Sequence, residues 1–146
     1  QSEAPFEVAG QRVRPLICYE DLFGEDFADS LVGPQSPTVL ANASNLAWFG
    51  KSNAMSQHLQ LSQARALETG RPMLRATNTG ATAVIDARGK VGAQLPPFTR
   101  GTLSADVQGM KGETPYLRLG NTLPVGLAVL LLALAGWKRL RLSKNS

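Results

Sequence analysis

Arg14-Pro-Leu-Ile-Cys-Tyr-Glu-Asp21 decides how the rest of the chain is read. Val13 to Ile17 is a short apolar run with β-branched residues, which predicts a buried strand. Tyr19-Glu20-Asp21 follows at once, and then Leu22, Phe23, Phe27 and Leu31 recur at helical spacing, predicting a helix over 20–31. The only cysteine, Cys18, therefore falls where a core strand turns into a helix. Such a turn pushes a side chain out of the sheet, and free backbone N–H groups there stabilise a thiolate and an oxyanion. Cys18 reads either as a nucleophile placed this way or as a small buried hydrophobe. Glu20 and Asp21 count against easy thiolate formation, so a cationic group has to come from elsewhere.

Outward from this stretch the pattern alternates strands and helices. Phe6 to Ala9, a turn at Gly10, and Arg12 to Cys18 predict a hairpin. Gly33-Pro34 stops the helix that follows. Thr38 to Ser44 predicts a second core strand, and Asn45 to Ser52 a loop carrying Trp48-Phe49-Gly50. A helix is predicted over 53–69, stopped by Gly70 and Pro72. Met73 to Thr77 is a short strand. Ala83 to Asp86 and Lys90 to Gln94 form a hairpin about Arg88-Gly89. Thr102 to Val107 reads as one more strand. Alternation of this kind argues for an α/β layer structure.

Composition narrows the functional classes. The chain has 146 residues, enough for one domain. Lys138, Arg139, Arg141 and Lys144 hold four of its fifteen basic residues, and no acid follows Trp137; residues 1–137 are balanced at eleven of each sign. A spread basic surface for nucleic acid is thereby excluded. One cysteine excludes an internal disulfide, no Cys/His cluster has metal-ligand spacing, and no cofactor motif is visible. Gln1-Ser-Glu-Ala-Pro5 is neither basic nor apolar enough for a signal peptide, and the chain begins as though cut from something longer. Leu123 to Trp137 is apolar apart from Pro124 and is followed by the basic cluster. At 15 residues it is shorter than the roughly 20 of a usual span. A buried or interfacial helix is the other reading; the Leu/Ala/Val density, Trp137 at one end and the charges beyond it favour a membrane span. Positive charge stays cytoplasmic, which puts the preceding domain on the opposite side.

Three stretches in order carry a family resemblance: Pro15-Leu-Ile-Cys-Tyr-Glu20, Asn45-Leu-Ala-Trp-Phe-Gly-Lys51 and Arg71-Pro-Met-Leu-Arg-Ala-Thr-Asn-Thr-Gly80. Together they resemble apolipoprotein N-acyltransferase, the membrane-bound, lipoprotein-modifying branch of the nitrilase superfamily, from about Phe6 into the C-terminal apolar segment. The resemblance implies an α/β fold, the second half of a nitrilase-like α-β-β-α sandwich over residues 1–118. One transmembrane helix over 119–137 and a basic cytoplasmic tail over 138–146 complete the expected organisation. It implies a bacterial inner-membrane enzyme whose catalytic domain faces the periplasm. Its acyl donor is a phospholipid, its acceptor an apolipoprotein, and it needs no cofactor and no metal.

The resemblance also implies roles. Cys18 is the nucleophile that carries the acyl chain as a thioester, and the Tyr19 backbone N–H is the oxyanion donor. Glu20 is a supporting acid, or else a first-turn glutamate favoured by the helix dipole. Trp48 and Phe49 line an acyl groove, or else pack in the core. Leu46 stands where the family commonly carries an acid. Arg71, Arg75 and Asn78 match the family and read as fold-stabilising hydrogen bonders, and His58 as a helix-surface or packing residue. The family's glutamate base and its lysine lie upstream of the cysteine. Glu3, Glu7 and Lys51 do not match those motifs, so no residue is assigned to either role and the chain read alone is an incomplete enzyme. The rival readings are a soluble nitrilase-like amidase using the same cysteine, and an inactive partial copy or membrane-anchored interaction domain.

Overall fold

The structure is a computed structural model that describes residues 4–144. Gln1 to Glu3 and the last two residues of the expected tail, Asn145 and Ser146, lie outside the described residues.

Six strands form one mixed sheet in sequence order: β1 (Phe6–Val8), β2 (Gln11–Ile17), β3 (Val39–Ser44), β4 (Met73–Thr77), β5 (Ala83–Ile85) and β6 (Val91–Gln94). β2, β3 and β4 run parallel, and the outer pairs are antiparallel. Parallel neighbours need crossovers. The first is the segment 18–38, with a 3-10 turn (Cys18–Leu22) and α1 (Gly24–Ala28); the second contains α2 (Ala54–Thr69). Gly70 ends α2 at φ +63°, its N–H returning to the last carbonyls of the helix. The expected hairpin about Arg88-Gly89 is present. Gly89 has φ +76°, and Asp86 Oδ1 accepts from the Arg88 and Lys90 N–H groups, both at 2.9 Å.

Strand alternation sorts the sheet into two unlike faces. Leu16, Leu40, Met73 and Ile85 point to one face and close a core with Leu31 and Ala66; Leu59, Val91 and Leu117 pack against it. Both crossovers lie on this side. On the other face Val13, Pro15, Ile17, Ala41, Ala43, Leu74, Ala76 and Val84 line an open cleft of about 530 Å³ together with Gly101, Thr102 and Leu103. One helical layer on one sheet is what the described residues hold. The coarse expectation of an α/β fold is met.

Two expected elements take another form. The single helix over 20–31 is broken into the 3-10 turn, α1 and a second 3-10 turn (Asp29–Leu31). Asp21 turns wholly inward and Gly24 lies against Arg65 and Tyr116, so the chain cannot follow one helical axis. Thr102 to Val107 forms no strand. That stretch has no regular secondary structure, and just past it the Met110 N–H donates to Thr38 O at 2.9 Å. Gly109 allows this approach, since a Cβ there would come within 2.8 Å of Thr38 Cβ.

The transmembrane segment expected over 119–137 is also corrected. Leu119 ends a separate short helix, α3 (Pro115–Leu119), and Gly120 at φ +53° breaks the chain before α4 (Thr122–Lys144). Among the described residues no helix is long and apolar enough to cross a membrane. The apolar run of α4 rises about 22 Å, against about 30 Å of bilayer hydrocarbon. Its Leu123, Val125, Leu127, Val129, Leu130, Leu131, Leu132, Leu134 and Trp137 are all exposed.

Candidate active site

The carboxyl ends of the three parallel strands meet at one place. β2 runs out at Ile17, β3 at Ser44 and β4 at Thr77, in register Ile17↔Ala43 and Ala43↔Ala76. Ligands of open α/β sheets bind outside these ends. An open cleft of about 510 Å³ lies there, lined by Ile17, Cys18, Ala43, Ser44, Asn45, Ala76, Thr77 and Asn78.

Cys18 enters the cleft from a strained elbow. Its φ is +54°, in the left-handed region that costs a residue with a Cβ about 1–2 kcal/mol. The side chain is half-buried. Strain of this kind persists only where neighbours over-determine it, and three contacts do so. Glu20 turns back and its carboxylate accepts from the Ile17 N–H at 2.5 Å. The Cys18 carbonyl accepts from Asn42 Nδ2 at 3.0 Å, with Ser44 Oγ at 3.3 Å. Asp21 reaches into the core, where Ser62 Oγ donates to its Oδ2 at 2.6 Å.

Asp21 belongs to a buried network below the elbow. Arg75 Nη1 lies 3.4 Å from Asp21 Oδ2, His58 Nε2 lies 3.4 Å from Asp21 Oδ1, and Arg75 Nη2 hydrogen-bonds His58 Nδ1. All four side chains, Asp21, His58, Ser62 and Arg75, are buried. Burial holds the His58 pKa below its usual value; the Arg75 charge lowers it further and Asp21 works against both. Burial likewise lowers Arg75, opposed by Asp21. The Tyr19 ring stands edge-on to His58 at 5.8 Å and to Phe49 at 6.2 Å.

Cys18, Tyr19 and Glu20 thus sit together on the elbow, with Phe49 beside Tyr19. In the first turn of a helix the N–H groups lack acceptors within the turn, and that of Tyr19 is one of these. Trp48 is 83% exposed, so it is not core; Phe49 is 38% exposed and meets Tyr19 by its edge. Asn78 holds the Trp48 loop. Its Oδ1 accepts from the Leu46 N–H at 3.0 Å and its Nδ2 donates to Asn45 Oδ1 at 2.7 Å. Leu46 is buried against Gly80, where a Cβ would come within 2.5 Å of its Cδ1, so an apolar side chain suits the position. Arg71 is the fold-stabilising hydrogen bonder expected, donating to Pro37 O and Gly112 O. Lys51 lies over the Phe98 ring rather than in the cleft. Among the described residues no group of His, Cys, Asp and Glu gathers to hold a metal ion.

Sequence reasoning missed Asp21, Ser62, Asn42 and Ser44. For the last two a signal existed. Alternation along Leu40-Ala-Asn-Ala-Ser44 places both on the face of Leu40, so polar groups occupy core-facing positions just before the strand ends.

A cysteine on a left-handed elbow, at the carboxyl ends of parallel strands in a mixed sheet, defines the class: an α/β protein that presents a thiol to an open cleft. Residues 1–116 match the carbon-nitrogen hydrolase family, and the chain belongs to that family. It is 62% identical over 140 residues to the apolipoprotein N-acyltransferase of Ralstonia nicotianae, covering 94% of this chain and 27% of that protein. It is 58% identical over 142 residues to the protein of the same name from Chromobacterium violaceum, with the same coverage. The chain thus spans about a quarter of the length of these curated relatives. Among solved structures it resembles a CN-hydrolase superfamily protein from Xanthomonas campestris, at TM-score 0.53 and 22% identity, covering 62% of this chain and 38% of that one. A cysteine-to-alanine mutant of the Nesterenkonia AN1 amidase, from the nitrilase superfamily, aligns at TM-score 0.53 and 18% identity, covering 69% and 40%. These two likenesses establish the fold.

Proposed function

We propose that this chain forms the cysteine-bearing part of an apolipoprotein N-acyltransferase. The observation that supports it most is the Cys18 elbow, in a chain so similar to proteins of that name. In this reading Cys18 Sγ attacks the ester carbonyl of a phospholipid, the lysophospholipid leaves as an alcohol, and the acyl chain stays as a thioester. The α-amino group of a diacylglyceryl-cysteine lipoprotein then attacks the thioester, forming an amide and restoring the thiol. Tyr19 N–H donates to the oxyanion in both steps. Glu20 supports the elbow by accepting from the Ile17 N–H. Trp48 and Phe49 flank the acyl chain. The glutamate base and the lysine belong to the upstream part of the enzyme. Residues 1–118 act as the catalytic portion, completed on the open sheet face by the other half of an α-β-β-α sandwich.

The same reading seats α4 in the bacterial inner membrane, with its residues 122–137 as the membrane segment and 138–146 as a cytoplasmic tail; the catalytic portion then faces the periplasm. A helical run such as 123–137, apolar on all sides and exposed at Leu123, Val125, Leu127, Val129, Leu130, Leu131, Leu132 and Leu134, finds its stable surroundings in lipid. Its short apolar run is accommodated by local thinning of the bilayer. A soluble amidase acting on a small substrate has no use for such a helix.

The test is mass spectrometry of the Cys18 peptide after the full-length protein meets phospholipid without acceptor. A fatty-acyl mass that neutral hydroxylamine removes is expected, and Cys18→Ser should reduce transfer to background. An acyl adduct on another residue, or an active Cys18→Ser protein, sinks the reading.

A further inference from the structure

Resting on the reading of Cys18 as the nucleophile, we infer that Asn42 is a positioning residue that aims the oxyanion donor, and that Ser44 orients Asn42 to do so. In a trans peptide the C=O and the following N–H lie in one plane and point opposite ways. The Cys18 carbonyl and the Tyr19 N–H are the two ends of one such unit. Asn42 Nδ2 holds that carbonyl at 3.0 Å from the core-facing side of β3. Drawing the carbonyl toward the core turns the Tyr19 N–H away from it, toward the cleft. The same bond secures φ +54° at Cys18, because rotation to an ordinary backbone would carry the carbonyl off Asn42.

An asparagine amide can present either its oxygen or its nitrogen, and the neighbouring group decides which. Ser44 Oγ is 2.5 Å from Asn42 Oδ1 and 3.3 Å from the Cys18 carbonyl. Its one hydroxyl proton goes to the shorter contact. Asn42 Oδ1 is thereby engaged, and Nδ2 is left to face Cys18. Asn42 is 2% exposed and lies in the sheet row Leu16, Asn42, Arg75, so the amide has little room to turn over.

Two reactions of Cys18 separate aim from mere folding. Acylation by phospholipid passes through an oxyanion and needs the Tyr19 N–H. Alkylation by iodoacetamide is a displacement at carbon with no oxyanion. In the full-length protein, Asn42→Ala and Asn42→Asp should slow thioester formation at least about tenfold, leave the KM for phospholipid in place, and change alkylation of Cys18 by no more than about twofold. Ser44→Ala, which keeps the donor but frees its orientation, should slow acylation about threefold to tenfold and carries the test if the Asn42 variants fail to fold. Acylation at the wild-type rate in any folded variant overturns the inference. So does a parallel loss of alkylation, which marks a structural role only. A wild-type protein that alkylates yet forms no thioester overturns the acyltransferase reading itself, and the inference with it.

Discussion

His58 is held neutral by its surroundings. Its Nδ1 receives Arg75 Nη2, so the ring proton sits on Nε2 and faces Asp21. Burial and the Arg75 charge lower its pKa below that of an exposed histidine, near 6.5. The unfolded chain therefore binds a proton at a pH where the folded chain does not. Stability from this group is complete above about pH 6.5 and is lost as pH falls toward the depressed folded value. Chemical denaturation of the full-length protein should show a midpoint that declines below that pH, and His58→Gln should flatten the decline. An unchanged pH profile in His58→Gln would remove His58 from the acid sensitivity. The role of Cys18 as a turn residue was legible from the strand before it and the polar residues after it. The network was not. Asp21 read as a charge that hinders the thiol, and only the fold shows that its partners Ser62 and Arg75 come from 41 and 54 residues away.

Among the elements, those with strong local punctuation were the readable ones. The helix expected over 53–69 is found at Ala54–Thr69 because Gly70 and Pro72 mark its end. The segment 20–31 carried helical spacing, yet of Leu22, Phe23 and Leu31 only Leu31 is fully buried and Phe23 is exposed. Turning Asp21 into the core outweighed that periodicity. Arg71 shows how elements are joined without packing. It is buried just before β4, and its guanidinium donates to Pro37 O at 2.8 Å and Gly112 O at 2.7 Å, with Thr69 O and Gly70 O at 3.4 Å, tying together the entry to β3, the end of α2 and the segment before α3. Lysine offers a point charge where two carbonyls need a fork. Arg71→Lys should destabilise the full-length protein by about 1.5–3 kcal/mol, read from denaturant midpoints. It should also speed hydrogen exchange at the Met110 N–H, which bonds Thr38 O beside this junction. Wild-type stability in Arg71→Lys would show that the fork is dispensable.

At the scale of the molecule, the described residues present two surfaces that water does not suit: the open sheet face and the apolar run of α4. The first was foreseeable only through the family resemblance, because a strand buried on both faces and one buried on a single face read alike over five or six residues. The second is legible as an apolar run, but its start is not: Gly120 ends α3 and breaks the chain, so α4 begins at Thr122 rather than at 119. What α4 does depends on where its basic end lies. Lys138, Arg139, Arg141 and Lys144 follow Trp137 without an acid. Translocating such a cluster is disfavoured, so in the proposed reading the end of α4 lies in the cytoplasm while Cys18 faces the periplasm. If α4 lay flat in the outer interface instead, both ends would remain on the periplasmic side. A lone cysteine at Ser143, in a Cys18→Ser full-length protein otherwise free of cysteine, decides between the two. In right-side-out inner-membrane vesicles it should resist a membrane-impermeant thiol reagent and become reactive only after detergent. A cysteine placed at Lys90, exposed in the turn between β5 and β6 and away from the open face, should be labelled without detergent. Ready labelling at position 143 in intact vesicles would place both ends of α4 outside and leave the helix as an interfacial anchor.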